Sequence, residues 1–155
     1  MHTVILGLGN ELLGDEGVGV HTVRVLKQMD LPGNLEIIEV GTAILDALPA
    51  IERADRMIVV DAMKDGMAPG TVYKISLDQC SGSKTIASMH GFDIFRTMAL
   101  AGRQIPPDIM VIGIEPELIS WSMELSSIVA ISIPHVLEAI VQELEQYSKG
   151  CLAHY

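Results

Sequence analysis

The chain has little that would staple it, anchor it in a membrane or draw it to a polyanion. It has two cysteines in 155 residues. Cys80 and Cys151 stand far apart with no metal-ligand or redox spacing, which excludes a disulfide scaffold and a cysteine zinc site and reads as free thiols in a reducing compartment. Aromatic residues make up 4% of the chain, with Trp121 the single tryptophan, so the core must be aliphatic. Trp121 itself reads either as a lid residue or as part of that core. Basic residues are scarce: ten Lys and Arg stand against twenty Asp and Glu, a formal net charge of -10. That field opposes nucleic acid and anionic lipid and favours a monomer in solution. No apolar run reaches the roughly 20 residues of a membrane span, and the amino terminus lacks a basic segment followed by an apolar one. The expectation is a soluble, cytoplasmic protein that binds neither membrane nor nucleic acid.

What is present is apolar and alternating. Hydrophobic residues form 49% of the chain, enough for one substantial core, and no linker, repeat or low-complexity segment divides residues 1–155. Strands are expected at about Thr3 to Gly7, Leu35 to Val40, Met57 to Asp61, Thr71 to Ser76 and Ile109 to Ile114. Helices are expected at Val18 to Gln28, Ile44 to Ile51, Gly91 to Leu100 and Pro134 to Tyr147. In the last, Leu137, Ile140, Val141 and Leu144 recur at helical spacing and should face the sheet. The connection from Asp65 to Gly70 is too short for a helical crossover, which makes the fourth strand an antiparallel edge. These elements predict an α/β three-layer sandwich, a twisted, mainly parallel five-stranded sheet between helices. The stretch from Leu77 to Met89 reads as a loop.

The most informative segment is Gly7-Leu8-Gly9-Asn10-Glu11-Leu12-Leu13-Gly14-Asp15-Glu16-Gly17-Val18-Gly19, a glycine-rich turn from the first strand into a helix. Such turns commonly hold phosphate at the positive end of the helix. Here Asp15 and Glu16 occupy that field and would repel a nucleotide. The third glycine of a dinucleotide-binding fingerprint is also missing. Asp15 reads as a helix N-cap accepting from the Val18 N–H; Glu16 reads either as a partner of the helix dipole or as a functional carboxylate. Asp61 ends the third strand after two valines, where an acid must be solvated, hydrogen-bonded or functional. His90 follows the loop, with Asp93 three residues on. Ligands sit beyond the carboxyl ends of parallel strands in such sheets. Glu16, Asp61 and His90 would then form an open site suited to a borderline divalent cation such as nickel or zinc. Two ionised carboxylates about 5 Å apart would repel by roughly 3 kcal/mol at an effective dielectric near 20, which a cation or a shared proton relieves. An empty pair suits acid/base work, a filled one Lewis-acid work.

These residues resemble the hydrogenase maturation endopeptidases, which process the large subunit of nickel-iron hydrogenases. The resemblance runs over nearly the whole chain, through Gly7-Leu8-Gly9-Asn10, Leu13, Asp15, Glu16, Gly17 and Gly19, then Gly41-Thr42, Val60-Asp61-Ala62, Pro69-Gly70-Thr71, His90, Gly113, Glu115-Pro116-Glu117 and Leu125-Ser126. It implies the fold above and hydrolysis of one peptide bond, which removes the carboxyl-terminal extension of the large-subunit precursor after nickel insertion. By the same resemblance Glu16, Asp61 and His90 are the catalytic and metal-binding positions. The nickel is supplied by the substrate, and no tightly bound organic cofactor is implied. Relatives of this kind are sometimes classed with aspartic peptidases. One departure is Glu39-Val40-Gly41-Thr42, where many relatives have two glycines before the threonine; a valine there could narrow backbone approach or alter substrate discrimination. Two rivals stand beside this reading. One is a nickel-binding assembly chaperone that docks without cutting. The other is a peptidyl-tRNA hydrolase, which shares the Gly-Leu-Gly-Asn opening and would use His21, but the acidic charge and Glu11 in place of its proline oppose it.

Overall fold

In the computed structural model the described residues are 1–76, 98, 100 and 102–152, with the backbone alone for 148–152. Five strands form one sheet: β1 (His2–Leu8), β2 (Asn34–Gly41), β3 (Arg56–Ala62), β4 (Val72–Ser76) and β5 (Asp108–Ile114). The order across the sheet is β2-β1-β3-β5-β4. β4 pairs antiparallel with β5, and every other pairing is parallel. The fold class and the antiparallel edge expected from the short Asp65–Gly70 connection are therefore observed.

Strand burial explains the layering. All of β3 is buried, and alternate residues feed two separate aliphatic cores, as the two-residue period of a strand requires. Met57 and Val59 face α2 (Ile44–Arg53) with Val4, Leu6 and Leu8 of β1. Ile58 and Val60 face α1 (Val18–Leu26) and α3 (Ser127–Leu152), where Val23, Val136 and Ile140 meet them. Helix α1 lies unusually close to the sheet. A Cβ on Gly19 would collide with the carbonyl oxygens of Leu8 and Val60, and one on Gly7 with the Gly19 backbone. These glycines are needed for contact between backbones, and they draw the turn before α1 down onto the strand ends.

The last helix departs from expectation. It begins at Ser127, seven residues before Pro134, and the proline lies within it. An interior proline removes one backbone donor, commonly costing about 3 kcal/mol, but Pro134 and Ala130 lie on the solvent side, where water reaches the released carbonyl. The buried stripe is Val129, Val136, Ile140 and Leu144. Leu137 packs at its margin and Val141 stays half-buried outside it. Among the described residues, the segment Ser127–Tyr147 is long and apolar enough to cross a membrane by length and composition; here that apolar stripe packs on the sheet. At the amino end of β3 the helix is tied down by charge. Arg56, nearly buried, pairs with Glu143 at 2.6 Å and with Asp108 at 2.8 Å, Lys74 pairs with Glu143, and the Arg56 guanidinium lies 4.2 Å from the Tyr147 ring centre. The loop expected at Leu77 to Met89 and the helix expected at Gly91 to Leu100 fall outside the described residues, apart from Met98 and Leu100.

Candidate functional site

Chain direction diverges between β1 and β3, since β1 leads to β2 on one side and the chain then returns to place β3 on the other. A crevice opens beyond the carboxyl ends of strands at such a point, because their outgoing loops turn to opposite faces of the sheet. Both described candidate acids lie there. Glu16 sits in the 3₁₀ turn Gly14–Gly17 that follows β1, and Asp61 is the penultimate residue of β3.

Asp61 continues the series Met57, Val59 toward the α2 face, the position where a third apolar residue would extend the core. It is instead a fully buried carboxylate, paired in register with Gly113 of β5. Glu16 is 4% exposed. Gly9 lies between them: at φ +112° a Cβ there would overlap the Glu16 carbonyl oxygen and stand 3.6 Å from Asp61 Oδ1. A side chain at this position would collide with the Glu16 backbone, so the second glycine of the turn is what lets that segment pack against the end of β1, close to Asp61. His90 and Asp93 lie outside the described residues. Among the described residues, no group of three His, Cys, Asp or Glu side chains comes together as a metal site.

Asp15 has a different task from the one its position suggests. It is fully buried and does not cap α1: the Val18 N–H bonds the Asp15 backbone carbonyl, and no side chain caps the helix. Adjacent residues of a tight turn point apart, and the Asp15 carboxylate reaches across to a loop more than a hundred residues away. Its Oδ2 accepts from the Glu117 and Leu118 N–H groups, each at 2.9 Å, and from Ser126 Oγ at 2.8 Å. Its Oδ1 accepts from the Ser126 N–H at 2.7 Å. Ser126 in turn accepts the Ala130 N–H at its carbonyl, so the latch sits at the start of α3. Glu115 does the same service for the loop after β3. It is buried and accepts from the Asp65 and Gly66 N–H groups and from Tyr73 Oη at 2.6 Å. Burial, reinforced by that bond to Glu115, pushes the Tyr73 phenol up to about 12, which keeps it a donor. Both anchors fall in short motifs already noted in the sequence, but spacing gives no sign of partners so distant.

A cleft of about 420 Å³ starts at Gly9 and runs toward the β2–α2 connection, lined by Asn10, Leu12, Arg24, Gly41 and Thr42 among others. Its wall includes Arg24, held by Glu11 at 2.7 Å and Glu39 at 2.9 Å. These bonds raise the guanidinium pKa, Glu11 first, and the Arg24 bond holds the Glu39 carboxyl below its ordinary value. Val40 sits at an irregularity in which Gly7 pairs with Glu39 and Leu8 with Gly41. Its side chain is buried among Leu8, Ala47 and Val59 in the core and lends an edge to the cleft. Gly41, at φ +58°, accepts the Gly9 N–H at 3.0 Å and closes the head of the cleft. Trp121 is 82% exposed and is no part of the core.

Comparison with known proteins matches this architecture. The family description hydrogenase maturation protease matches residues 20–143. The hydrogenase expression/formation protein HupD of Rhodobacter capsulatus is 36% identical over 152 residues, covering 93% of this chain and 71% of its own length. Among solved structures, the E. coli hydrogenase maturating endopeptidase HybD superposes with a TM-score of 0.79 at 27% identity, over 95% of this chain and 94% of that one. The Thermococcus kodakarensis [NiFe] hydrogenase maturation protease HybD superposes at 0.75 with 29% identity, over 93% and 99%.

Proposed function

The chain belongs to the hydrogenase maturation protease family, and from that premise we propose that it is the endopeptidase that removes the carboxyl-terminal extension of a nickel-iron hydrogenase large-subunit precursor once nickel has been inserted. The observation that carries the reading is that Gly9, at the head of a cleft, lies against the backbone of one buried acid, Glu16, and near the carboxylate of another, Asp61. Buried acids contribute nothing to an apolar core. They suit a site that holds a cation or handles protons.

In this proposal nickel arrives as part of the substrate. Glu16, Asp61 and His90 hold it, a donor set of two carboxylates and an imidazole that leaves coordination positions to the precursor's own ligands. The extension lies along the cleft, with its main chain near Gly41 and Thr42. Water then adds to the scissile carbonyl. A carboxylate oxygen of the pair that is left outside the nickel coordination takes the proton from the water and returns it to the departing amine as the tetrahedral intermediate collapses. Val40, which supplies a cleft edge where many relatives have glycine, tunes which extensions fit. The protein acts as a cytoplasmic monomer that needs no bound organic cofactor.

Incubation with nickel-loaded and nickel-free precursor, read by intact mass, tests the proposal. Loss of a short carboxyl-terminal peptide from the loaded form alone is expected. Binding without any mass loss would replace the protease with a docking chaperone; equal cleavage of both forms would remove nickel recognition. His90→Ala is expected to abolish processing with the far-ultraviolet circular dichroism unchanged. Normal processing by that variant would remove His90 from the ligand set.

A further inference from the structure

We propose that the loop latched by Asp15, together with Leu12 and the first turns of α3, is the surface on which the precursor docks, and that it takes an apolar face of that partner fringed by Lys and Arg. The inference rests on the function proposed above and deepens it.

Six large apolar side chains are exposed on the loop and on the segments joined to it. Leu118, Trp121 and Met123 are 57%, 82% and 63% exposed in the loop, Leu12 is 45% exposed in the turn beside it, and Ile128 and Ile131 are 43% and 72% exposed at the start of α3. Solvent-facing aromatic and methionine side chains grouped in this way are what interface centres are made of. The backbone that presents them is held firmly. Gly14 N–H bonds Ser122 O at 2.7 Å, Ser122 N–H bonds Leu12 O at 3.0 Å and Asp15 N–H bonds Leu118 O at 3.1 Å. The four bonds to the Asp15 carboxylate complete the attachment. A loop without regular structure that is pinned at both ends loses little freedom when a partner arrives.

Charge selects the occupant. Glu117 and Glu124 are exposed in the loop and Glu11 borders it, while the sequence has neither Lys nor Arg from Gln104 to Ser148. A second copy meeting this face about a two-fold axis would set these acids against their own counterparts, and an anionic lipid surface would meet the same repulsion. A partner with basic residues around an apolar centre meets neither. Position identifies it as the substrate, because Asp15, the latch of the loop, is bonded directly to Glu16 in the chain. A protein seated on Trp121 is thereby held at a fixed distance from the turn that carries Glu16.

Two exposed-residue variants of the full chain, Trp121→Ala and the double variant Glu117→Lys, Glu124→Lys, test the surface. Nickel-loaded precursor is the probe, with cleavage followed by mass and binding measured against the Glu16→Gln chain carrying the same changes. Each variant is expected to raise KM and Kd at least about ten-fold, as loss of an interface anchor does, with a much smaller change in kcat and an unchanged melting temperature. Wild-type KM and Kd in both variants would overturn the inference, and so would a wild-type dimer in sedimentation that Trp121→Ala dissolves. If the wild-type chain binds precursor without cutting it, the protease reading fails on its own; loss of that binding in the variants would still support the docking surface. Absence of any binding by the wild type would overturn both.

Discussion

Asp15 and Glu16 are neighbours in one turn, one holding a distant loop and the other proposed to act on the substrate, and substitution separates them. Asp15 satisfies three backbone N–H groups and one hydroxyl in a fully buried place. Asp15→Ala leaves those donors stranded, so a loss of about 3 kcal/mol is expected, read as a lower urea midpoint. Glu16→Gln keeps the shape of the side chain and removes its charge. It should leave the midpoint within about 1 kcal/mol of wild type and stop processing of nickel-loaded precursor. Gly9 admits no side chain, because a Cβ would overlap the Glu16 carbonyl at a φ of +112°. Gly9→Ala is expected to lower stability by more than about 2 kcal/mol, seen as a fall in melting temperature. The motif residues were visible in the sequence, but the partners of Asp15 were not: a carboxylate next to a helix start looks like a cap whichever way it points. His90, the third expected ligand, lies outside the described residues.

At the scale of elements, hydrophobic period placed all five strands and the first two helices to within about two residues at each end. It failed at α3 because proline is favoured at the first turn of a helix and disfavoured within one, so a reading from sequence starts the helix at Pro134. Packing of Val129 on the core and the Asp15–Ser126 latch extend it back to Ser127. The same helix carries an acid-sensitive contact. Burial works against the charge of Glu143, but the bonds from Lys74 and Arg56 outweigh it and hold its carboxyl below the ordinary value of 4.5. A depressed folded-state pKa contributes stability that is complete above the unfolded value and is lost as pH falls through the folded one. Stability measured in urea should therefore decline below about pH 4.5, and Glu143→Gln should be less stable near pH 7 with a shallower decline in acid.

For the whole molecule, a net charge of -10 acts at long range on any partner. Association with a precursor bearing a basic fringe should slow as sodium chloride is raised from 0.05 to 0.5 M, a drop of about ten-fold or more in the on-rate with a smaller change in the off-rate. An on-rate indifferent to salt would remove electrostatic steering. Composition and periodicity determined by themselves the layered α/β architecture and the antiparallel edge, because each depends on local spacing. The chain order also placed Asp61 at the end of a strand and Glu16 in the turn that follows another. Only the tertiary structure decided that β1 and β3 are neighbours at the point where chain direction diverges, that Gly9 packs against the Glu16 backbone, and that Asp15 holds a loop distant in sequence with Trp121 turned outward. Those outcomes depend on which segments meet in space, and no period or spacing along one strand or helix encodes the partner on another.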